Sequence, residues 1–160
     1  MKIYVHADVT ENSFSKLQSI FKGFVDVALD AHTTIAFADL NAPINSKNVQ
    51  FTLMTRKDSA EPCSVQMNNL QWWPAYSSDT KSDGYLVLTI TSTFIMKRRM
   101  LWTSVIYEPA SFIYRPHITI CKNINRQEAQ PILRKIKPSS LVGSVNLHKE
   151  IVDFLPRGIL

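Results

Sequence analysis

Two short phrases in the chain hold the residue types needed to move protons at a phosphate. Residues 32 to 35 read His-Thr-Thr-Ile, and residues 117 to 120 read His-Ile-Thr-Ile. Each puts a threonine two places after a histidine, inside a Thr/Ile/Phe-rich run of strand character. Strand side chains alternate between faces, so His32 and Thr34 share one face and Thr33, Ile35 and Phe37 the other. His117 and Thr119 likewise share a face, opposite Ile118 and Ile120. An imidazole titrates near pH 6.5 and so serves as either acid or base. A threonine hydroxyl bonds to a phosphate oxygen where negative charge grows. Two such strands could frame one phosphate. With four histidines and eleven threonines in 160 residues, random placement gives two such pairs in roughly 3% of sequences. The plain alternative is two strand histidines, each bonded to a neighbour.

The elements that must position these residues are legible in outline. Residues 2 to 9 alternate, with Ile3, Val5, Ala7 and Val9 on one face and Tyr4, His6 and Asp8 on the other, as in a half-buried strand. His6 reads as a surface histidine. Thr10 or Asn12 caps a helix of about twelve residues, whose Phe14, Leu17, Ile20, Phe21 and Phe24 form a core stripe. The first histidine strand spans about 31 to 38, and Asn41-Ala42-Pro43 ends it. Residues 49 to 56 are a further strand candidate. Residues 64 to 73 form a strand ending in Trp72 and Trp73, with Pro74 as its stop. Residues 74 to 84 are the most loop-like stretch. Regular alternation sends Trp72 and Trp73 to opposite faces, one as a stacking surface for a base and one in the core.

Residues 85 to 91 predict a central apolar strand. Ser92 or Thr93 caps a helix from about 94 to 107 that carries Lys97-Arg98-Arg99, read as a solvated face. The second histidine strand spans about 114 to 121. A helix follows over 125 to 136, with Pro131 marking its true first turn. Strands over 142 to 148 and from Ile151 onward finish the chain. This order of elements reads as one strand and helix unit used twice.

Composition bounds the rest. A hydrophobic content of 45% and a charged content of 19% describe a globular chain, and 160 residues suffice for one domain with a real core. The net charge of +5 fits a slightly basic surface or an anionic ligand such as a nucleotide or RNA, and is too small for a bulk DNA binder. Cys63 and Cys121 make no disulfide framework, which points to a reducing cytoplasm. The opening residues hold no apolar run of signal-peptide length, and no apolar window is long enough for a membrane span. Asp39 and Cys121 stand near the histidines in sequence without completing a metal-ligand spacing. No metal and no cofactor is expected.

Paired His-x-Thr-x motifs on strands of a duplicated α+β chain resemble the two-histidine (2H) phosphoesterases, a superfamily that includes RNA ligase T-like proteins and 2′,3′-cyclic phosphodiesterases. Further stretches are similar to one branch, the phage anti-CBASS phosphodiesterases that degrade cyclic-nucleotide signals of bacterial defence. They are Gly84-Tyr85-Leu86-Val87-Leu88, Lys97-Arg98-Arg99, residues 114 to 120, and Val145-Asn146-Leu147-His148-Lys149-Glu150-Ile151. The resemblance covers nearly the whole chain. It implies a single domain over residues 1 to 160, with two pseudo-symmetric lobes, antiparallel sheets, helices on the outer faces and a central cleft.

It also implies metal-independent cleavage of a cyclic di- or trinucleotide. The ribose 2′-hydroxyl attacks the phosphate, a 2′,3′-cyclic phosphate forms, and water opens it. His32, Thr34, His117 and Thr119 would be catalytic. Tyr4 and either Trp72 or Trp73 are the candidates for base stacking. Glu150 would meet a base edge or orient a histidine. The alternatives are an enzyme acting on RNA ends that carry 2′,3′-cyclic phosphates, a non-catalytic RNA or nucleotide binder, and a structural protein with chance motifs.

Overall fold

The structure is a computed structural model and describes residues 2–39, 50, 52, 63–75, 83–106 and 113–155. Seven strands among the described residues form two antiparallel sheets. The first joins β1 (Lys2–Asp8), β2 (His32–Asp39) and β7 (Ile151–Leu155) in the order β2-β1-β7. The second joins β3 (Cys63–Pro74), β4 (Asp83–Thr91), β5 (His117–Asn125) and β6 (Ser144–Leu147) in the order β5-β4-β3-β6. The α+β class and the antiparallel sheets expected from the resemblance are borne out. β1 keeps the face assignment its alternation predicts: Ile3, Val5 and Ala7 are buried while Tyr4, His6 and Asp8 are half-buried.

Three α-helices and a short 3-10 helix (Pro138–Leu141) flank the sheets among the described residues. In α1 (Glu11–Phe21) the Thr10 hydroxyl accepts the Ser13 N–H, while Leu17 and Phe21 enter the core. In α2 (Thr93–Thr103) Ser92 caps the Ile95 N–H, and the helix lies against β2, bringing Ile95 and Trp102 to full burial. A cap of this kind is worth about 1 kcal/mol. In α3 (Arg126–Lys135) Asn125 and Glu128 form a reciprocal capping box, each side chain bonding the other's backbone N–H. No described helix is long and apolar enough to cross a membrane.

The two sheets are stitched together where they meet. β2 lies beside β5. The Ala28 N–H donates to the Ile120 carbonyl at 2.8 Å, and the Tyr114 hydroxyl donates to the Thr34 carbonyl at 2.8 Å. At the far end of β1, Val9 bridges Leu147 and the His148 N–H donates to the Asp8 carbonyl. The two histidine strands are thereby neighbours.

Several expectations need correction. Phe37 does not share the core face with Thr33 and Ile35. The β1–β2 register slips between Val5 and His6, so that Val5 faces Ala36 while His6 faces Thr34. This bulge turns Ala36 and Ala38 into the core and brings Phe37 beside Tyr4, as one extra residue in a strand must. Pro131 is not in a first turn: the capping box starts the helix at Arg126 and leaves the proline inside it. Helix α2 stops at Thr103, four residues short of the expected end. Of the strand expected over 49 to 56, only Gln50 and Thr52 are described, and both are helical. The loop at 76 to 82 lies outside the described residues.

Candidate active site

Each histidine is the first residue of its strand, His32 in β2 and His117 in β5. Each turns its ring back onto the chain in the same way. Nδ1 of His32 bonds the Asp30 carbonyl at 2.6 Å, and Nδ1 of His117 bonds the Arg115 carbonyl at 2.7 Å. A carbonyl only accepts, so Nδ1 carries the hydrogen in both rings. That leaves Nε2 as the atom each ring offers for proton transfer, fixed by the partner of its other nitrogen. The repeated phrase in the sequence is a repeated geometry.

His117 senses both its burial and His32. Burial holds His117 below the ordinary histidine range, and the charge of His32 pushes it down further, against the Arg115 carbonyl, which favours the protonated ring. A Lys122–Asp30 ion pair of 2.5 Å joins β5 to the turn ahead of His32, and the Lys122 hydrogen bond is the first cause that holds the Asp30 carboxyl low. Both side chains are exposed, so the pair adds at most about 1 kcal/mol and matters for alignment.

Around His32 the hydrogen bonding is dense. The Tyr4 hydroxyl lies 2.5 Å from His32 Nε2 and 2.9 Å from Thr34 Oγ1. Burial raises the Tyr4 phenol above its usual range, aided by the charges of Asp30, Asp8 and Asp153 and opposed by the Thr34 hydrogen bond. The Tyr4 ring stacks on His6 with centroids 4.9 Å apart and meets Phe37 edge-on at 6.3 Å. His6 is no surface histidine. Its side chain is 12% exposed, and its two nitrogens face Asp8 at 2.9 Å and Asp153 at 3.1 Å. The clue lay in Tyr4, His6 and Asp8, which occupy alternate positions on the polar face of β1, the strand paired to β2.

Around His117 the partner is Trp73, whose ring centre lies 4.5 Å from that of the imidazole. The Trp73 indole N–H donates to Gln71 Oε1 at 2.9 Å. Trp72 turns the other way. Its indole N–H donates to the Ile124 carbonyl at 2.8 Å, and its ring presses on Gly84, where an added Cβ would stand 2.7 Å from ring carbons and 2.3 Å from the Trp73 carbonyl. The two tryptophans therefore diverge, and Trp73 is the one beside a motif histidine. Thr119 lies on the half-buried face of β5 with His117.

One expectation about a charged residue needs correction. Arg98 does not lie on a solvated face, and Glu150 is its partner. Both are buried, and they grip each other: Arg98 Nε donates to Glu150 Oε2 at 2.8 Å and Nη2 to Oε1 at 2.5 Å. The Trp102 indole N–H also donates to that carboxylate. Arg99 donates to the Ile35 carbonyl at the β2 bulge and lies over the Tyr114 ring. Of the run, Lys97 is the exposed member.

No family model matches the chain, and no curated protein sequence matches it. Solved structures do. Usb1 of Kluyveromyces marxianus matches with a TM-score of 0.58 at 6% identity, over 95% of this chain and 93% of that one. A structure of the same protein with uridine monophosphate matches with a TM-score of 0.54 at 7% identity and equal coverage. At such identities the likeness is one of fold, and it spans both sheets.

Proposed function

We propose that the chain is a phosphodiesterase of the two-histidine superfamily acting on a ribonucleotide phosphate, with an RNA end as its substrate. The observation that carries this reading is the paired histidine geometry: two strand-leading imidazoles on adjacent strands, each held through Nδ1 by the carbonyl two residues earlier and each with Nε2 left for proton transfer. The fold likeness to Usb1, one structure of which holds uridine monophosphate, supports the superfamily and a nucleotide ligand.

The chemistry follows from the residues. A phosphodiester beside a ribose hydroxyl needs a base for the attacking hydroxyl or water, an acid for the leaving oxygen, and donors for the phosphoryl oxygens. His117, which burial keeps neutral to lower pH, is suited to be the base. The His32 side of the site supplies the acid, and Thr34 and Thr119 supply hydroxyls to the phosphate. Trp73 offers a ring for a base next to His117.

A second reading keeps the chemistry and changes the substrate to a cyclic di- or trinucleotide, as for phage anti-CBASS enzymes. It rests on the sequence resemblance. Two of the stretches behind that resemblance, 97 to 99 and 145 to 151, meet as the buried Arg98–Glu150 pair, so they speak for architecture more than for ligand. One assay separates the readings. RNA oligomers with a 2′,3′-cyclic phosphate or a free 3′ end are incubated beside cyclic di- and trinucleotides, in EDTA, and products are resolved by mass. Turnover of RNA ends is expected. Turnover of the cyclic nucleotides alone would favour the second reading, and activity only after zinc or manganese is restored would reject both.

Two further results are expected. Trp73→Ala should weaken substrate binding by about 1–3 kcal/mol, the usual worth of a base stacked on an aromatic ring, while Trp72→Ala should act on stability. Measuring KM and melting temperature for both variants checks this. The acidic limb of kcat/KM should fall below pH 6.5, because a lowered His117 remains a competent base there. The same shift bears on folding. The unfolded chain takes up its proton first as pH falls, so the His117 contribution is complete above about pH 6.5 and is lost from there down toward the folded value. Rate and urea-denaturation profiles between pH 4 and 8 would show both effects, each displaced to lower pH than for a free histidine.

A further inference from the structure

Resting on the phosphodiesterase reading, we propose that the atom through which the His32 side delivers its proton is the phenolic oxygen of Tyr4, which makes Tyr4 a catalytic residue. Three observations lead there. The Tyr4 hydroxyl stands on Nε2 of His32 at 2.5 Å, the one nitrogen that the Asp30 carbonyl leaves available. The same oxygen is 2.9 Å from the Thr34 hydroxyl, so it occupies the position between the two motif side chains. The ring is anchored. It stacks on His6, meets Phe37 and His32 edge-on, and His6 is itself clamped by Asp8 of β1 and Asp153 of β7. A phenol so packed stays in place when a phosphate arrives, and the phosphate then meets Tyr4 before it meets His32.

The step balances without any other reactant. Protonated His32 gives its Nε2 hydrogen to the Tyr4 oxygen as the Tyr4 hydrogen passes to the leaving ribose oxygen. The P–O bond to that oxygen breaks as the attacking oxygen bonds to phosphorus and gives its proton to His117. Tyr4 ends as it began, a neutral phenol. A tyrosine that merely stacks on a base would need no hydroxyl, and one that merely masks His32 would slow the reaction by being present.

The test is Tyr4→Phe, which keeps the ring and removes only the oxygen. Two substrates are compared: uridylyl-3′,5′-uridine, whose leaving alkoxide needs a proton, and uridine 3′-(4-nitrophenyl phosphate), whose nitrophenolate does not. On the first, Tyr4→Phe should lose at least roughly 100-fold in kcat, as should His32→Ala, and the double variant should be no slower than either alone. On the second, both variants should recover most of the wild-type rate while His117→Ala stays slow. Melting temperatures confirm that Tyr4→Phe folds. A Tyr4→Phe enzyme as fast as the wild type, or faster, overturns the relay and leaves the phosphodiesterase reading standing. Equal slowing on both substrates also overturns it, in favour of a structural role. A wild-type protein inactive on both, and on the RNA and cyclic-nucleotide panel, overturns the parent reading and the relay with it.

Discussion

His117→Ala lowers turnover by at least roughly 100-fold, and His32→Ala does the same on substrates with a poor leaving group, the ordinary scale of a lost acid or base. The two losses should not multiply in the double variant, because groups that act as one unit are not additive. The expectation rests on a pattern that a structural histidine has no need of. Both rings donate Nδ1 to a carbonyl two residues back, and both stand at the start of adjacent strands of different sheets. Neither histidine is in the buried core. Alanine should therefore cost little stability, and a melting curve close to wild type is part of the expected result. If the histidines only brace their strands, the outcome inverts: the melting temperature falls and the rate per folded molecule holds.

The largest effect on stability is expected at Arg98 and Glu150. Glu150→Ala removes the carboxylate that accepts two hydrogen bonds from the buried Arg98 guanidinium, and breaking a buried pair of this kind costs about 3–5 kcal/mol. That is a large share of the roughly 5–15 kcal/mol by which a domain is stable. The pair also organises its surroundings. Arg98 Nη2 donates to the Thr52 carbonyl, and Trp102, fully buried, donates to the same carboxylate. Replacing both partners by apolar residues of similar volume should cost far less than removing one. Urea denaturation of Glu150→Ala and of the double variant Arg98→Met/Glu150→Leu checks this. A Glu150→Ala protein of unchanged stability and raised KM would instead return Glu150 to the substrate.

What could be read from the sequence divides along physical lines. Local periodicity is enough for β1, for Leu17 and Phe21 in the stripe of α1, and for the shared face of each His-x-Thr pair, because those follow from alternation and helical repeat alone; Phe24, expected in that stripe, lies past the helix end and is 40% exposed. The pairing of the two motifs followed from their repetition and from the family resemblance. The bulge that turns Phe37 toward Tyr4 could not be foreseen, since it exists only in the register between β1 and β2. Nor could the fate of Arg98 and Glu150, 52 residues apart, whose charges read as solvent-facing or ligand-facing until a partner is in view. His6 reads as a surface histidine for a similar reason: one of its two carboxylates, Asp153, arrives from β7 at the other end of the chain. Charged and polar side chains take their meaning from what is brought to them, and a linear pattern is silent on that.

The central claim is that both motifs serve one phosphate. A crystal structure of the protein with a non-hydrolysable uridine dinucleotide tests it most directly. The bridging phosphate should lie within hydrogen-bond reach, about 2.6–3.2 Å, of His117 Nε2 and Thr119 on one side and of Tyr4 or Thr34 on the other, with a uracil over Trp73. A well-ordered dinucleotide seated elsewhere, with these side chains arranged as in the free protein, would contradict it.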